Sequence, residues 1–476
     1  MSHLSEVEIK AKPHGRFSGI SGPEVVELIR RVADDMRRRL GGRVIWNINT
    51  TAAGGGVAEL LRSLLAYSRD LGVDARWVVI SGTPEFFRLT KRLHHALHGE
   101  AGDGSDLGDA EREIYEAVLA WNAADLVKRV SPRDVVILHD PQTAGLAPHL
   151  EERGATIIWR CHIGTDTPSA QVALGWRFLA PYLPHAGAYV FSRATYVPEL
   201  CDHGRSTIVA PSIDPFSPKN QELDEATVRA ILVQAGLVAG PAQGEPAFVR
   251  EDGTTARVAR PAVMTRCGAP PAWEMPLVVQ VSRWDPLKDP IGVIDGFVRM
   301  RAGEMPADAA LVLAGPGGDS VADDPEGLEV FERVLQHWKG LPEEHRRRVH
   351  LANLPTVDLQ ENAAIVNALQ RHAAVVVQKS LQEGFGLTVT EAMWKARPLI
   401  ASAVGGIQDQ IEHGVSGLLL RDPTDGASFA ALLGRVLHDP ALAERLGREA
   451  RARVRRGFLA PRSLLQFAEL IGRIDG

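Results

Sequence analysis

The stretch that decides the fold class runs from residue 373 to residue 396 and reads AAVVVQKSLQEGFGLTVTEAMWKA. Its first part, residues 373–378, is rich in β-branched residues and predicts a short buried strand. Residues 392–396 have the composition of a helix. Gly384 and Gly386 lie between the two and allow the chain to bend sharply. The stretch therefore predicts a strand, a turn and a helix.

The turn after this strand has the features of an anion site. The first amides of a helix have no partner within the helix, and the helix start carries about half a positive charge. Glu383 and Glu391 flank the site. If most of the interval between them is helical, they lie about 12 Å apart, close to the span from the hexose to the ribose of a sugar nucleotide. Two solvated acids on a surface helix are the alternative.

The same separation bears on another class of enzyme. Glycoside hydrolases hold their two working carboxyl groups about 5 to 9.5 Å apart across one glycosidic bond. A helical spacing of Glu383 and Glu391 is too long for that chemistry. We therefore expect the pair to accept hydrogen bonds from hydroxyl groups at the two ends of one ligand.

Strands and helices alternate through both halves of the chain. The predicted strands of the first half cover residues 43–48, 76–80, 134–138, 155–160, 187–191 and 207–209. Those of the second half cover residues 277–281, 310–314, 349–351, 373–378, 398–401 and 417–419. This alternation predicts an α/β fold with two doubly wound Rossmann-like domains, in which ligands bind beyond the carboxyl ends of parallel strands.

A polar, Pro-containing segment, residues 211–215, interrupts the alternation and predicts a domain boundary. We place the N-terminal domain at residues 1–214 and the C-terminal domain at residues 215–456. A helix is predicted over residues 220–239. Residues 240–276, rich in Pro and Gly, have the features of an insertion with a hairpin about residues 252–253.

Glycine and polar residues follow several of the predicted strands. Three consecutive glycines follow the first strand and open a helix: Gly54, Gly55 and Gly56. A strand, a glycine loop and a helix can cradle an anion. His139 and Asp140 follow the strand at 134–138, and His162 follows the next one. The plainer alternative is that these residues only stabilise turns.

Two basic residues follow the first strand of the second half, Arg283 and Lys288. Arginine can bind phosphate through two parallel hydrogen bonds, and lysine adds a point charge. Fixed cations aimed at a departing diphosphate are typically worth several kcal/mol each to a reaction. The alternative is that both side chains only face solvent.

Composition excludes several classes of partner. The 476 residues are 24% charged with a net charge of −6, which gives no basic footprint for nucleic acid. The three cysteines lie far apart and indicate neither a disulfide framework nor a zinc site. We find no secretory signal and no apolar window of about 18 residues. We therefore expect a cytoplasmic protein with no integral membrane association.

Several motifs together resemble the retaining glycosyltransferases of family 4. They are Glu383 and Glu391 with seven residues between them, Ala392-Met393, Val404-Gly405-Gly406 and Gly414-Val415-Ser416-Gly417-Leu418. The sequence around Glu391, together with Arg160-Cys161-His162-Ile163, is most similar to the trehalose synthases that join a nucleotide-activated glucose to free glucose. The resemblance covers about residues 43–235 and 277–460. It implies a GT-B fold, two Rossmann-like domains facing a central cleft, with the last helix, 457–476, returning to the first domain.

The resemblance also implies roles for individual residues. It assigns the ribose hydroxyls to Glu391, the hexose to Glu383 and His162, and the phosphates to Arg283 and Lys288. Backbone amides toward the distal phosphate and sugar are assigned to Gly384, Phe385, Gly386 and Leu387. The three glycines at 54–56 would close over the phosphates, and Asn353 and Leu354 would face the base.

Retention of anomeric configuration is implied by the family, with a front-face displacement in which the departing phosphate helps to deprotonate the acceptor. No nucleophile is assigned, and Asp140 is the candidate that orients the acceptor hydroxyl. Because the two basic residues could replace a metal ion, we expect no obligatory metal and no tightly bound cofactor. Stimulation by Mg²⁺ without a protein ligand set is left open.

The reaction expected from the resemblance is transfer of glucose from a nucleoside diphosphate glucose to glucose, giving trehalose. Residues 164–168 read Gly-Thr-Asp-Thr-Pro, where the relatives have Asp-Leu-Ser-Ser-Pro. Because the resemblance implies that this loop faces the acceptor, an acceptor other than glucose is an open alternative. The alternatives are a trehalose phosphorylase, which uses inorganic phosphate, and a non-catalytic sugar-nucleotide sensor. The donor base is open between adenine, uracil and guanine, as is the choice between a monomer and a homodimer.

Overall fold

A computed structural model describes residues 4–52, 55–100, 102, 104–300, 309–317 and 325–474. The chain forms two compact units. Unit 1 contains Met1–Ser212 and Phe458–Gly476, and unit 2 contains Ile213–Gly457. Within the described residues, each unit is built on a seven-stranded sheet.

The sheet of unit 1 has the strand order β1-β3-β2-β4-β5-β6-β7. Its strands are β1 Leu4–Val7, β2 Ile45–Asn49, β3 Ala75–Ile80, β4 Val135–His139, β5 Thr156–Cys161, β6 Ala188–Phe191 and β7 Ser206–Ile208. Strands β2 to β7 run parallel, which confirms the prediction. Strand β1 pairs antiparallel with β3 at the edge and was not predicted, because its alternation is only four residues long.

Helices of unit 1 cover both faces of this sheet, since every residue of β2 and β4 is buried. They are α1 Ser18–Ser21, α2 Pro23–Leu40, α3 Gly55–Asp70, α4 Pro84–Leu97, α5 Asp109–Leu126, α6 Ala147–Glu152 and α7 Ala170–Leu179. Strands β4 and β5 are parallel neighbours, so the polar residues that end or follow them lie close together at one edge of the sheet.

The sheet of unit 2 has the order β10-β13-β12-β11-β14-β15-β16, and a separate hairpin pairs β8 with β9. The strands are β8 Ala247–Val249, β9 Thr255–Arg257, β10 Val263–Thr265, β11 Leu277–Val281, β12 Ala310–Pro316, β13 Val349–Leu354, β14 Val375–Gln378, β15 Leu399–Ser402 and β16 Leu418–Leu420. The predicted hairpin is confirmed. The insertion expected over 240–276 also contributes β10, an antiparallel edge strand of the main sheet, which was not predicted.

The helices of unit 2 alternate with these strands. They are α8 Glu225–Gln234, α9 Pro290–Arg299, α10 Pro325–Gly340, α11 Glu343–Arg346, α12 Leu359–His372, α13 Leu387–Trp394, α14 Ile407–Gln410, α15 Gly426–His438 and α16 Pro440–Gly457. The helix predicted over 220–239 is shorter than expected. It begins after Asp224, whose side chain accepts a hydrogen bond from the Thr227 amide and so caps it.

The C-terminal helix α17, Ala460–Ile474, belongs to unit 1 and packs against α2 and α3. Its apolar residues Leu470 and Ile471 are buried in the unit 1 core. The Ser463 hydroxyl donates to the Ser212 hydroxyl at 3.0 Å, and Arg462 donates to the Ala210 carbonyl. These bonds fasten the end of the chain beside the last residues of the first segment of unit 1.

Candidate active site

The turn between β14 and α13 has the predicted strand-turn-helix form. Helix α13 begins at Leu387, and Gly386 precedes it with φ at +81°, in the left-handed region. A Cβ atom at this position would lie 3.1 Å from Glu383 Cγ and 3.3 Å from Ile407 Cγ1. Glycine is therefore required at residue 386 both by backbone conformation and by space.

Helix α13 includes residues 387–391, which are five of the eight positions from 384 to 391. Glu383 lies in the turn before the helix, and Glu391 lies within it. The expected separation of the two carboxylates, and the argument from it against a glycoside hydrolase, stay predictions. The two carboxylates contact different lysines, Lys288 and Lys219.

Residues that follow β15 hold the turn at residues 384–386 through hydrogen bonds to its backbone carbonyls. The Gly406 amide donates to the Gly384 carbonyl at 3.0 Å, and the Gln410 side-chain amide donates to the Phe385 carbonyl. Because C=O and N–H of one peptide point in opposite directions, the amides of Phe385 and Gly386 point away from these partners. Backbone amides in such a turn can act as donors to a phosphate.

Lys288 and Glu383 form the ion pair of this site. Lys288 Nζ lies 2.6 Å from Glu383 Oε2, and their side chains are only 15% and 14% exposed. The Ser380 hydroxyl donates to the same carboxylate oxygen at 3.2 Å. Lys288 is held by its backbone as well, because its carbonyl accepts a hydrogen bond of 2.8 Å from the Gln280 side chain.

Arg283 lies at the same sheet edge, two residues beyond β11, but is much more open. Its guanidinium lies 2.9 Å from Asp285 Oδ2, and its side chain is 68% exposed. Asp285 also accepts from the Leu287 amide at 2.9 Å and fixes the turn before Lys288. An exposed guanidinium on a fixed turn can move onto an incoming anion, whereas Lys288 is already in place.

Lys379 and Asp289 are two further charged residues at this edge that sequence reasoning missed. Lys379 follows β14 directly, is 2% exposed and forms an ion pair with Asp289. Asp289 has φ at +46° and caps α9 by accepting from the Gly292 amide at 3.1 Å. The position of Lys379 directly after a predicted strand was the available signal.

Glu391 is buried, at 4% exposure, and is surrounded by lysines. Lys219 Nζ lies 3.5 Å from its carboxylate. Lys395 Nζ donates to the Glu391 carbonyl at 3.1 Å and to Asn220 Oδ1 at 3.0 Å. Burial lowers the pKa of Lys395, and the nearby Glu391 opposes that shift. Lys395 was missed although its position four residues after Glu391 places it on the same helix face.

Asn353 and Leu354 end β13. The Asn353 side-chain oxygen accepts a hydrogen bond of 2.8 Å from the indole of Trp284. Leu354 is 1% exposed, and its carbonyl accepts from the Gly317 amide at 2.8 Å. The Leu354 side chain is therefore buried in the core. Trp284, which was not identified from the sequence, is the aromatic residue beside Asn353.

Unit 1 brings a second set of predicted residues together at the ends of β4 and β5. His139 Nδ1 lies 3.1 Å from His162 Nε2, and the two rings stack with centroids 5.4 Å apart. His139 Nε2 lies 3.1 Å from Asn47 Oδ1. His139 is buried and His162 is partly exposed, so His162 is the member of the pair that a ligand can reach.

The protonation of these histidines is set by burial. Burial, followed by the charge of Arg160, holds the pKa of His139 well below its usual range. The same causes, with His139, lower the pKa of His162. Both rings are therefore neutral at pH 7 and act as hydrogen-bond donors and acceptors rather than as cations.

Asp140 lies beside His162 in a strained conformation, with φ at +63°. Its Oδ1 accepts from the His162 amide at 2.7 Å. Burial raises the pKa of Asp140 to about 7, although that amide bond acts in the opposite direction. The side chain can therefore exist as an acid or as a carboxylate near neutral pH, and one of its oxygens already holds the His162 backbone.

The glycine loop is described in part. Gly55 and Gly56 form the start of α3, and Gly55 has φ at +77°. Gly54 lies outside the described residues.

Residues 164–168 form the loop whose sequence differs from that of the relatives. A Cβ atom at Gly164 would lie 2.2 Å from the Tyr196 ring, and Asp166 forms an ion pair with Arg193. The loop is therefore held in place by the close packing of Gly164 against Tyr196 and by the ion pair of Asp166.

Among the residues that the structure describes, no group of three or more His, Cys, Asp or Glu side chains is arranged to hold a metal ion. None of the described helices is both long enough and apolar enough to cross a membrane.

Comparison with protein families gives a match in each unit. Residues 47–198 match the N-terminal domain of trehalose synthase, and residues 272–453 match the glycosyl transferases group 1. A trehalose synthase of Pyrococcus horikoshii is 34% identical over 460 residues, covering 97% of this chain and 96% of its own. The chain belongs to the trehalose synthase family of glycosyltransferases. A second member, from Rubrobacter xylanophilus, is 36% identical over 446 residues, covering 92% of this chain and 93% of its own.

More distant similarities are found both in sequence and in structure. A trehalose phosphorylase of Pleurotus pulmonarius is 26% identical over 89% of this chain and 56% of its own. A solved structure of an α,α-trehalose-phosphate synthase (UDP-forming) from Burkholderia xenovorans, in complex with glucose-6-phosphate, has a TM-score of 0.66. That match is 17% identical and covers 91% of this chain and all of the other, which confirms the GT-B type of fold.

Proposed function

We propose that this protein transfers glucose from a nucleoside diphosphate glucose to free glucose with retention of configuration, giving trehalose. The observation that carries the proposal is the buried pair of Lys288 and Glu383 beside the glycine turn before α13. An ammonium group, a carboxylate and a set of turn amides together match a donor that joins a phosphate to a hydroxyl-rich sugar.

The cations supply the main catalytic effect in this scheme. As the bond between the sugar and the diphosphate breaks, negative charge develops on the departing phosphate oxygen. Lys288 is preorganised toward that charge, and Arg283 on its exposed turn closes onto it. The departing phosphate then accepts the proton of the acceptor hydroxyl as the new bond forms on the same face, so no protein nucleophile is needed.

The carboxylates place the donor. Glu391, buried and held by Lys219 and Lys395, accepts hydrogen bonds from the ribose hydroxyls. Glu383 keeps lone pairs for the hexose hydroxyls while its other contacts neutralise its charge. In unit 1, neutral His162 bonds to a sugar hydroxyl, and Asp140 orients the acceptor hydroxyl.

Glucose as acceptor is supported by the trehalose synthases that are 34% and 36% identical over nearly the whole chain. The test is to incubate the protein with ADP-, UDP- and GDP-glucose plus glucose and to identify the disaccharide by NMR. Trehalose with both anomeric carbons in the α configuration supports the proposal, and the preferred nucleotide identifies the base.

Two other results would replace the proposal. Release of glucose 1-phosphate from trehalose and inorganic phosphate, without any nucleotide, would identify a phosphorylase. Binding of a nucleoside diphosphate glucose with no turnover on any sugar acceptor would identify a sensor. The proposal predicts neither, because it requires both the nucleotide and the acceptor.

A further inference from the structure

A polar pocket lies at the amino-terminal edge of the unit 2 sheet, opposite to the edge that carries Lys288 and Glu383. Trp273, His372 and Arg397 line it, and they lie four, three and two residues before the starts of β11, β14 and β15. These three strands are neighbours in the sheet and run parallel. The topology therefore brings the three residues together, and it separates them from the proposed donor site by the length of the strands.

Arginine dominates the chemistry of this pocket. Arg371 and Arg397 line it, and Arg229 lies over the Trp273 ring with its guanidinium carbon 5.3 Å from the centroid. The Trp273 ring stacks on His372 with centroids 3.9 Å apart. The pocket has a volume of about 360 Å³ and opens to solvent, so an ion larger than water can enter.

Two of these arginines have no carboxylate partner in the described part of the chain. Arg371 is paired, since it lies 2.9 Å from Glu222. Arg397 donates only a long bond of 3.4 Å to the Ala373 carbonyl, and Arg229 forms no ion pair. Arg229 Nε, His372 Nε2 and Arg397 Nε are buried without a hydrogen-bond partner. Donors of this kind that have no partner in the described part of the chain can bond to a ligand in the pocket.

The electrostatics agree with that geometry. Burial, followed by the charges of Arg397 and Arg229, lowers the pKa of His372 to about 4. Burial and the charge of Arg371 lower the pKa of Arg397. Three carboxylates lie near these cations. Glu225 lines the pocket and Glu274 acts on His372, but both side chains are exposed, and Glu222 is shared between Arg371 and Arg451. The arginines are partly buried, so positive charge is in excess at the pocket.

We propose that this pocket is a second anion site, separate from the donor site. It binds a phosphate group through Arg397, which lines it, and Arg229, which lies beside it over the Trp273 ring. A phosphate dianion offers several strong acceptors, and guanidinium groups engage it through paired hydrogen bonds. Inorganic phosphate and a phosphate monoester share this chemistry. The proposal does not depend on the reaction that the enzyme catalyses.

The test is calorimetric titration of the full-length protein with inorganic phosphate and, separately, with glycerol 3-phosphate. No nucleotide is added, because its phosphate groups could fill the same pocket, and chloride keeps the ionic strength constant. Lys288→Ala is titrated alongside to identify any phosphate that binds at the donor site. We expect one site per chain that Lys288→Ala retains. Arg229→Gln and Arg397→Gln should each weaken binding about tenfold or more, because each removes charge-assisted hydrogen bonds.

The matched control is Arg257→Gln, which removes an exposed arginine of the β8–β9 hairpin that is paired with Glu245. It should leave phosphate binding unchanged. A rise in the melting temperature of the unsubstituted protein with phosphate, compared with chloride, gives a second measurement that needs no variant. No binding of either probe at 10 mM, or unchanged affinity in both variants, would overturn the proposal. Tighter binding of the monoester would show that the ligand carries more than phosphate.

Discussion

Lys288 Nζ lies 2.6 Å from Glu383 Oε2 although 95 positions separate the two residues along the chain. They meet because β11 and β14 are parallel neighbours, so the loops that leave their carboxyl ends share one edge. The pairing is backed by a bond of 2.7 Å from the Leu381 amide to the Leu287 carbonyl. Each side chain is mostly buried, so each depends on the other for its charge balance.

Replacing Lys288 by Ala should lower kcat about a hundredfold or more, because the charge that stabilises the departing diphosphate is lost. Arg283→Ala should have an effect of the same order. Steady-state kinetics with the preferred nucleotide glucose measure both. Lys339→Ala, in an exposed part of α10, is the control and should be active. Near-normal kcat in both Lys288→Ala and Arg283→Ala would refute the role of these cations.

Replacing Glu391 by Gln should weaken nucleoside diphosphate binding about tenfold or more, because hydrogen bonds from ribose to a charged acceptor are replaced by weaker ones. Gln keeps the size of the side chain, so the buried site is not emptied. Calorimetry with the nucleoside diphosphate measures the dissociation constant, and Glu329→Gln on the exposed face of α10 is the control. An unchanged dissociation constant for Glu391→Gln would remove its ribose role.

The fold class was predictable because the alternation of apolar strands with helices recurs through both halves of the chain. Every predicted strand is present, and buried strands such as β14 are continuous apolar runs that no loop resembles. The two antiparallel edge strands, β1 and β10, were not predicted because both are short and neither belongs to the alternation of strands and helices from which the other strands were read. Such strands are formed by pairing with a neighbour rather than by their own sequence.

The candidate site was predictable only in part. Residues in a recognisable motif, such as Glu383 and Lys288, were found, but their contact was not, because it depends on strand order. Lys379 and Lys395 were missed because a lysine shows no sign in the sequence of being buried, and most lysines are exposed. The start of α13 at Leu387 followed from the left-handed Gly386, which the helical pattern alone did not reveal.

Replacing His162 by Ala should lower kcat at least tenfold while leaving the dissociation constant of the nucleoside diphosphate unchanged, because the neutral ring is assigned to a sugar hydroxyl and not to the nucleotide. His203→Ala, an exposed histidine of unit 1, serves as the control. A parallel loss of nucleotide affinity in His162→Ala would mean that the ring acts on the nucleotide or on the fold, and the melting temperature distinguishes the two.

Replacing Asp140 by Asn should change the pH dependence of stability in a defined direction. Burial raises the pKa of Asp140 from 3.8 to about 7, so the folded protein holds this proton more tightly than the unfolded chain. The resulting stability is fully present below about pH 4 and is lost as the pH rises through 7. Asn does not titrate, and its Oδ1 can still accept the bond from the His162 amide.

We therefore expect Asp140→Asn to gain stability relative to the natural sequence between pH 4 and pH 8, by on the order of 2 kcal/mol, since the carboxyl is only partly buried. The lowered pKa values of His139 and His162 destabilise both proteins as the pH falls below about 6.5, so their effect cancels in the difference. Melting temperatures at a series of pH values measure it. Asp35→Asn, with its side chain 48% exposed, is the control. A flat difference for Asp140→Asn would mean that burial does not hold its carboxyl in the protonated form.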